Sequence, residues 1–312
     1  TELADMAWSD QETIDAAAKV LGTLGEKDFA LGGATTYRVG GPAAIGVKAE
    51  TEQDLLRVAN VGKMFDLDIL VLGRGSNLLI SDRGFEGIVV VLSEQFGEIA
   101  VNGLEVTVGG AVPLPVLARK AVNEKLSGLE WMVGVPGSVG GAIRMNAGGH
   151  GSDTSSSLVA ARIMDLRNGT VHQRTARQLD FRYRSSNVKQ SEIVLSARFK
   201  CDPDLRGDGQ DLLSEIVRWR RDNQPGGQNA GSVFINPVNG TSGSLIEEAG
   251  LKGLRIGSAF VSPRHANFIQ CEPGGSAEDV KALIDYVRSA VEKHSRITLT
   301  SEIRFVGFGE GS

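Results

Sequence analysis

The chain has 312 residues, 41% of them hydrophobic and 23% charged, the make-up of a globular protein long enough for two or three packed units. A net charge of -5 and a pI near 5.5 exclude nucleic acid as the main partner, since binding along a phosphate backbone needs a broad Lys and Arg excess. No apolar run approaches the ~20 residues that span a bilayer, residues 1–10 lack a basic start and an apolar segment, and Cys201 and Cys271 are too few for a disulfide framework or a zinc knuckle, so a cytoplasmic protein with reduced thiols is expected.

In chain order, Ser9-Asp-Gln-Glu12 reads as a capping box for a helix over 13–21, which Gly22 ends. Thr36-Tyr-Arg-Val-Gly-Gly-Pro42 reads as a strand broken by a turn, followed by a β-type run over 43–47. Thr51-Glu-Gln-Asp54 caps a helix that buries Leu55, Val58, Ala59 and Gly62, and a strand over 69–72 follows. Gly73-Arg-Gly-Ser-Asn77 then sits between that strand and the apolar Leu78-Leu-Ile80. Strand, loop, strand is not the helix-opening G-x-G-x-x-G of a dinucleotide crossover, so a Rossmann fold is excluded.

The 40 glycines are about 13% of the chain, against roughly 7% in average usage. Ten of them fall in 73–77 and 128–151. Lacking a β-carbon, glycine lets a phosphate reach bare N–H groups, so these stretches read as two walls of a nucleotide site.

Beyond the second wall come strands over 158–166 and 170–174 joined by an Asn168-Gly169 turn, then strands over 179–183 and 193–199. The polar run 201–210 marks a boundary, dividing the chain into 1–203 and 204–312. The second unit reads as a helix over 211–221, a turn-rich segment 223–231, a helix over 244–249 and strands near 258–261 and 267–271. Ser276-Ala-Glu-Asp279 caps a helix with Val280, Leu283, Ile284, Val287 and Val291 on one face, and a last strand over 297–306 gives the unit βαβ character. No histidine has metal-ligand spacing to another, so no metal is expected.

Seven motifs in sequence carry a resemblance. They are Thr36-Tyr-Arg-Val-Gly-Gly-Pro42, Leu72-Gly-Arg-Gly-Ser-Asn-Leu-Leu79, Gly134-Val-Pro-Gly-Ser-Val-Gly-Gly-Ala142 with Met145-Asn-Ala-Gly148, Tyr183-Arg184, Ala230-Gly-Ser-Val-Phe234, Leu245-Ile-Glu-Glu-Ala-Gly-Leu-Lys-Gly253 and His265-Ala-Asn-Phe268. Over 34–306 the chain closely resembles the UDP-N-acetylenolpyruvoylglucosamine reductase (MurB) family of peptidoglycan synthesis. That resemblance implies an α+β fold: an FAD-binding domain of the vanillyl-alcohol-oxidase (PCMH) type and a smaller C-terminal α/β substrate domain, its last strand returning to the cleft. It implies FAD and NADPH as cofactors and a UDP-sugar enolpyruvyl ether as substrate. A monomer is expected, and charge and hydropathy imply no nucleic-acid or membrane partner.

By the same resemblance Ser232 is the proton donor, Arg184 the arginine that meets the substrate carboxylate, and Glu302 the glutamate that polarises it. FAD is expected against Tyr37, Arg38, Gly73, Arg74, Gly75, Ser76, Asn77, Leu78, Gly134, Pro136, Gly137, Ser138, Gly140, Gly141, Ala142, Arg144, Asn146 and Gly148. Asn146 is open between the flavin ring and a neighbouring loop, and His150 between stacking near the flavin and plain exposure. Tyr183, Arg221 and Asn236 are the expected substrate contacts, and Arg218, Arg220 and Arg221 form a basic helix end that is open between a solvated face and a substrate diphosphate or NADPH 2′-phosphate. The chain departs from the family in lacking the loop that brings a tyrosine over the substrate, and Asn223 and Ile235 stand where two lysines often do. A flavoprotein oxidase tethering FAD has only His150 in the glycine walls to use, and a silent nucleotide-binding module predicts a damaged trio, whereas Ser232, Arg184 and Glu302 are intact.

Overall fold

The computed structural model describes residue 8 and residues 10–238 and 240–309. Asp10 caps α1 (Gln11–Leu21), accepting from the Thr13 N–H at 3.1 Å, while Ser9 of the expected box lies outside the described residues. After β1 (Gly25–Phe29), residues 36–39 form an irregular loop where a strand is expected. Tyr37 is drawn wholly into the core there, and Arg38 takes φ +55°, which interrupts any extended run.

Next come β2 (Ala43–Ala49), α2 (Glu52–Phe65), β3 (Ile69–Leu72), β4 (Leu78–Ile80) and β5 (Phe85–Leu92). The expected capping box of α2 is present: Thr51 Oγ1 accepts from the Asp54 N–H at 3.2 Å, and Asp54 Oδ2 accepts from the Thr51 N–H at 3.0 Å. These strands give a sheet ordered β1-β2-β5-β3, with β5 parallel to both β2 and β3.

The chain continues through β6 (Ile99–Asn102), β7 (Glu105–Gly109), α3 (Leu114–Asn123), β8 (Leu126–Ser127), α4 (Val139–Met145), β9 (Gly148–Gly149) and β10 (Ser152–Asp153). Then follow β11 (Leu158–Asp165), β12 (Thr170–Thr175), β13 (Glu192–Lys200) and β14 (Asp202–Pro203). A second sheet, β12-β11-β13-β7-β6, is antiparallel throughout. Residues 179–183, expected in it, instead turn away from it, because Asp180 at φ +43° ends the preceding 3-10 turn. Met164, Leu166, Ile193 and Leu195 of this sheet share a core with α1, α2 and the first sheet, so the two sheets are one packed body.

The remaining elements are α5 (Gly209–Asn223), α6 (Ser242–Glu248), β15 (Arg255–Ile256), β16 (Ala259–Val261), β17 (Ile269–Cys271), α7 (Ala277–Ser295) and β18 (Arg304–Val306). Leu213 and Ile216 of α5 pack into the core that holds Trp131 and Met132, so this helix is joined to the first unit although it lies past the division expected at 203/204. The second unit is a three-stranded antiparallel meander under α7, whose Val280, Leu283, Ile284, Val287 and Val291 are fully buried. It is not a βαβ unit, since the strand after α7 pairs in parallel with β4 of the first.

Several ties lock the units together. Arg304 is in register with Leu78 across β18 and β4, and Asp82 accepts from the Ala277 N–H (3.0 Å), the Glu278 N–H (3.2 Å) and Ser276 Oγ (2.6 Å), neutralising the free N–H groups at the start of α7. No helix among the described residues is long and apolar enough to cross a membrane.

Candidate active site

A cleft of about 460 Å³ lies where the β3–β4 turn, the segment around α4, the loop after α5 and the approach to β18 converge. Gly73, Arg74, Gly75, Ser76, Asn77 and Leu78 all line it. The amide N–H groups of Arg74, Gly75, Ser76 and Asn77 donate to no other group among the described residues. Four consecutive free donors in a turn form an anion-binding concavity. Gly75 at φ +60° is required there, because a β-carbon would come within 2.6 Å of Thr35 Cα and 2.8 Å of Ala34 O.

The second wall is built differently from the expectation. Gly134, Pro136, Gly137, Ser138, Gly141, Ala142, Arg144 and Gly148 line the cleft, but 139–145 is helical and its first N–H groups are already used. Val139 donates to Val112 O (2.9 Å), Gly140 to Gly110 O (3.0 Å) and Gly141 to Ser138 Oγ (3.4 Å). Gly140 lines a smaller adjoining pocket of about 170 Å³, shared with Arg144 and Glu192. Nor do all these glycines bare backbone to a ligand. The space of a Gly134 β-carbon is taken by His150 and Ile216, and that of Gly148 by Asp153, so both glycines serve packing.

Ser232, Arg184 and Glu302 come together on this cleft from three separate loops. Ser232 precedes a segment held on both sides: Val233 N–H donates to Asn267 O (2.8 Å), Glu302 N–H donates to Val233 O (2.8 Å), and the buried Asn267 side chain both donates to Phe234 O (2.8 Å) and accepts from its N–H (3.0 Å). Asn77 Nδ2 donates to Glu302 O at 3.0 Å and Arg304 N–H to Asn77 O at 3.1 Å, which ties the glutamate segment to the free-donor turn. The Ser232 hydroxyl has no hydrogen-bond partner among the described residues.

Arg184 Nε lies 3.1 Å from Glu302 Oε1, an ion-pair distance, but off the line of its N–H, which therefore makes no hydrogen bond. Its Nη1 donates to Gly148 O at 2.8 Å. The residue sits at φ +57°, a conformation costing a side-chain-bearing residue ~1–2 kcal/mol, so the site stores strain where it presents its guanidinium.

Burial raises the Glu302 pKa and the neighbouring Arg184 opposes this. The folded protein therefore holds the proton more tightly than the unfolded chain, so this group's stabilisation is complete below the ordinary glutamate value and is lost as pH rises through the raised one. From pH 4 to 7 the melting temperature of Glu302→Gln is expected to rise relative to that of the parent, and a constant difference between the two would reject the buried-carboxyl description.

Arg74, Arg144, Arg184, Arg220 and Arg304 face the cleft against Glu302, the one carboxylate among its described lining residues. Burial pushes the Arg144 pKa down to about 10, with repulsion from Arg304 adding to it and Glu192 opposing. Burial lowers Arg220 and Arg304 too. A chain of net charge -5 thus concentrates cations where anionic ligands would enter.

Seven expected contacts lie off the cleft lining, Gly140 of the adjoining pocket among them. Tyr37 is buried with its hydroxyl donating to Ile269 O (3.0 Å), and Arg38 points to solvent after its turn. Asn146 is buried and bonds a neighbouring loop. Tyr183 is 60% exposed beneath the Arg184 guanidinium, Arg221 is exposed beside Asp222, and Asn236 Oδ1 accepts from the Ser242 N–H at the start of α6. His150 packs edge-on against Trp219 of α5, 5.1 Å between centroids. In place of Arg221 the cleft receives Arg220, one helical step round α5, and Arg304. Arg304 opens β18 two residues past Glu302, since the strand expected over 297–306 is confined to 304–306.

Two family models match the chain, one described as an FAD binding domain over residues 42–174 and one as the UDP-N-acetylenolpyruvoylglucosamine reductase C-terminal domain over 223–306. The UDP-N-acetylenolpyruvoylglucosamine reductase of Bacillus subtilis (strain 168) is 38% identical over 276 residues, covering 88% of this chain and 91% of that protein. The Heliobacterium modesticaldum enzyme of that name is 39% identical over 283 residues, covering 89% of each. A crystal structure of the Thermus caldophilus UDP-N-acetylenolpyruvylglucosamine reductase superposes with a TM-score of 0.79 at 34% identity, over 90% of this chain and 98% of that one. With likeness of this extent in both sequence and fold, the chain belongs to the UDP-N-acetylenolpyruvoylglucosamine reductase family.

Proposed function

We propose that the chain reduces UDP-N-acetylglucosamine-enolpyruvate to UDP-N-acetylmuramate with NADPH and FAD, with Ser232, Arg184 and Glu302 as its catalytic residues. The observation that carries this is an unpartnered serine hydroxyl on the same cleft as a half-buried arginine–glutamate pair, beside four free amide donors. The residues fit FAD: the Arg74–Asn77 donors suit a diphosphate, and Gly137 and Gly141 leave room beside them for a ring. Bound FAD supplies hydride transfer from NADPH to the terminal carbon of the enolpyruvyl group.

The protein groups do the rest. Arg184 presents a guanidinium to the substrate carboxylate, whose charge grows as the double bond is reduced, and Glu302 holds that guanidinium in place. Ser232 gives its proton to the carbon bearing the ether oxygen. Arg220 and Arg304 take the anionic binding that the absent lysines at Asn223 and Ile235 do not supply. We assign residues 1–203, with α5 packed on them, to the flavin and the rest of 204–312 to covering the substrate, and read the protein as a cytoplasmic monomer without membrane or nucleic-acid partners.

Purified protein is expected to carry flavin absorbance and to consume NADPH only when the enolpyruvyl substrate is added. NADPH consumption driven by oxygen alone would instead identify an oxidase, and bound flavin without turnover a silent module.

A further inference from the structure

We infer that Asn146 is a positioning residue that holds Arg184 in its strained, reactive orientation, and not a contact of the flavin ring. Arg184 is the third residue of a tight turn, Arg182 to Ser185, closed by Arg182 N–H to Ser185 O (3.0 Å) and Ser185 N–H to Arg182 O (3.1 Å). That place in a turn, with φ +57°, is one that glycine fills without cost. An arginine stays there only if its surroundings over-determine it.

They do so through alternate residues of one segment. Ser186 Oγ donates to Arg144 O (2.8 Å), Asn146 Nδ2 to Arg182 O (3.1 Å) and Arg184 Nη1 to Gly148 O (2.8 Å), so the turn is fastened at its exit, its base and its tip. Asn146 is itself locked. It takes φ +42°, is 4% exposed, donates to Asp153 Oδ2 at 3.2 Å and accepts from the Ser155 N–H at 3.1 Å. Its amide is thus spent on Asp153, Ser155 and the Arg182 carbonyl, and it does not line the cleft.

This rests on Arg184 meeting the substrate carboxylate, and the experiment separates the two. In the holoenzyme, Asn146→Ala is expected to keep the flavin absorption spectrum, FAD dissociation constant and rate of reduction by NADPH. Reoxidation by the enolpyruvyl substrate should slow by ~10²-fold, the size of effect a displaced catalytic group produces. Arg184→Ala should slow the same step, and Asn146→Ala added to it should cost nothing further. An altered flavin spectrum, weaker FAD binding, slowed reduction by NADPH, or additive losses in the double variant would each overturn the positioning role. Parental reoxidation in Arg184→Ala would remove the reading of Arg184 itself, whereas a slow Arg184→Ala beside a parental Asn146→Ala overturns only the inference. Should Asn146→Ala not fold, Ser186→Ala, which cuts another of the three ties, must show the same split between half-reactions and the same non-additivity, and its failure to do so counts against the proposal equally.

Discussion

Ser232→Ala will reduce its flavin with NADPH at close to the parental rate, yet pass those electrons to the enolpyruvyl substrate ~10² to 10⁴ times more slowly. The asymmetry follows from where a proton is needed. Hydride transfer from the nicotinamide delivers no proton to a substrate carbon, while completing the reduction of the enolpyruvyl double bond requires a proton at the ether-bearing carbon. The hydroxyl of Ser232 faces the cleft without a partner among the described residues, so it has a proton to give. Its backbone is held by the Asn267 side chain on Phe234 and by Glu302 N–H on Val233 O, so truncation to alanine leaves the loop in place. Rapid-mixing absorbance measurements resolve the two half-reactions. Equal slowing of both would take the proton-donor role away from Ser232.

Gly75→Ala is expected to raise the FAD dissociation constant at least tenfold. A side chain at φ +60° costs ~1–2 kcal/mol, and ~1.4 kcal/mol is a factor of ten in affinity. The added carbon also meets Thr35 Cα at 2.6 Å and Ala34 O at 2.8 Å, both main-chain atoms, so the turn must shift and the Arg74–Asn77 donors lose their common direction. Titrating FAD into apoprotein and following flavin fluorescence measures this. Gly33→Ala, where an added β-carbon has open space, serves as the reference. Matching affinities in the two variants would show that the turn does not hold the diphosphate.

Much of the molecule is readable in its sequence. The caps at Thr51 and Ser276 are local bonds between a side chain and the backbone two or three residues on, so a short window of sequence contains both partners. The turn at 73–77 was legible for the same reason, since glycine between two apolar runs forces a strand, loop, strand path. Where expectation and structure part, the deciding contact is distant. Tyr37 looked like a cofactor contact because of its motif, but its hydroxyl meets Ile269 O, 232 residues away. The N–H groups of Val139 and Gly140 looked free because nothing nearby in sequence uses them, and they go to the 110–112 loop. A boundary was expected at the polar run 201–210, yet α5 beyond it buries Leu213 with Trp131.

By itself the sequence determined the order of elements around the 73–77 turn and the family, and it picked out the side chains proposed for proton and charge chemistry, because motif spacing and capping are properties of neighbouring residues. Only the tertiary structure decided which of those side chains share a cleft. It selected Arg220 and Arg304 over Arg221, placed Asn146 behind Arg184, and brought Glu302 to Asn77 across 225 residues. The physical reason is that burial and hydrogen-bond satisfaction are settled over the whole packed body, where one helical step or one strand register redirects a side chain from the cleft to water.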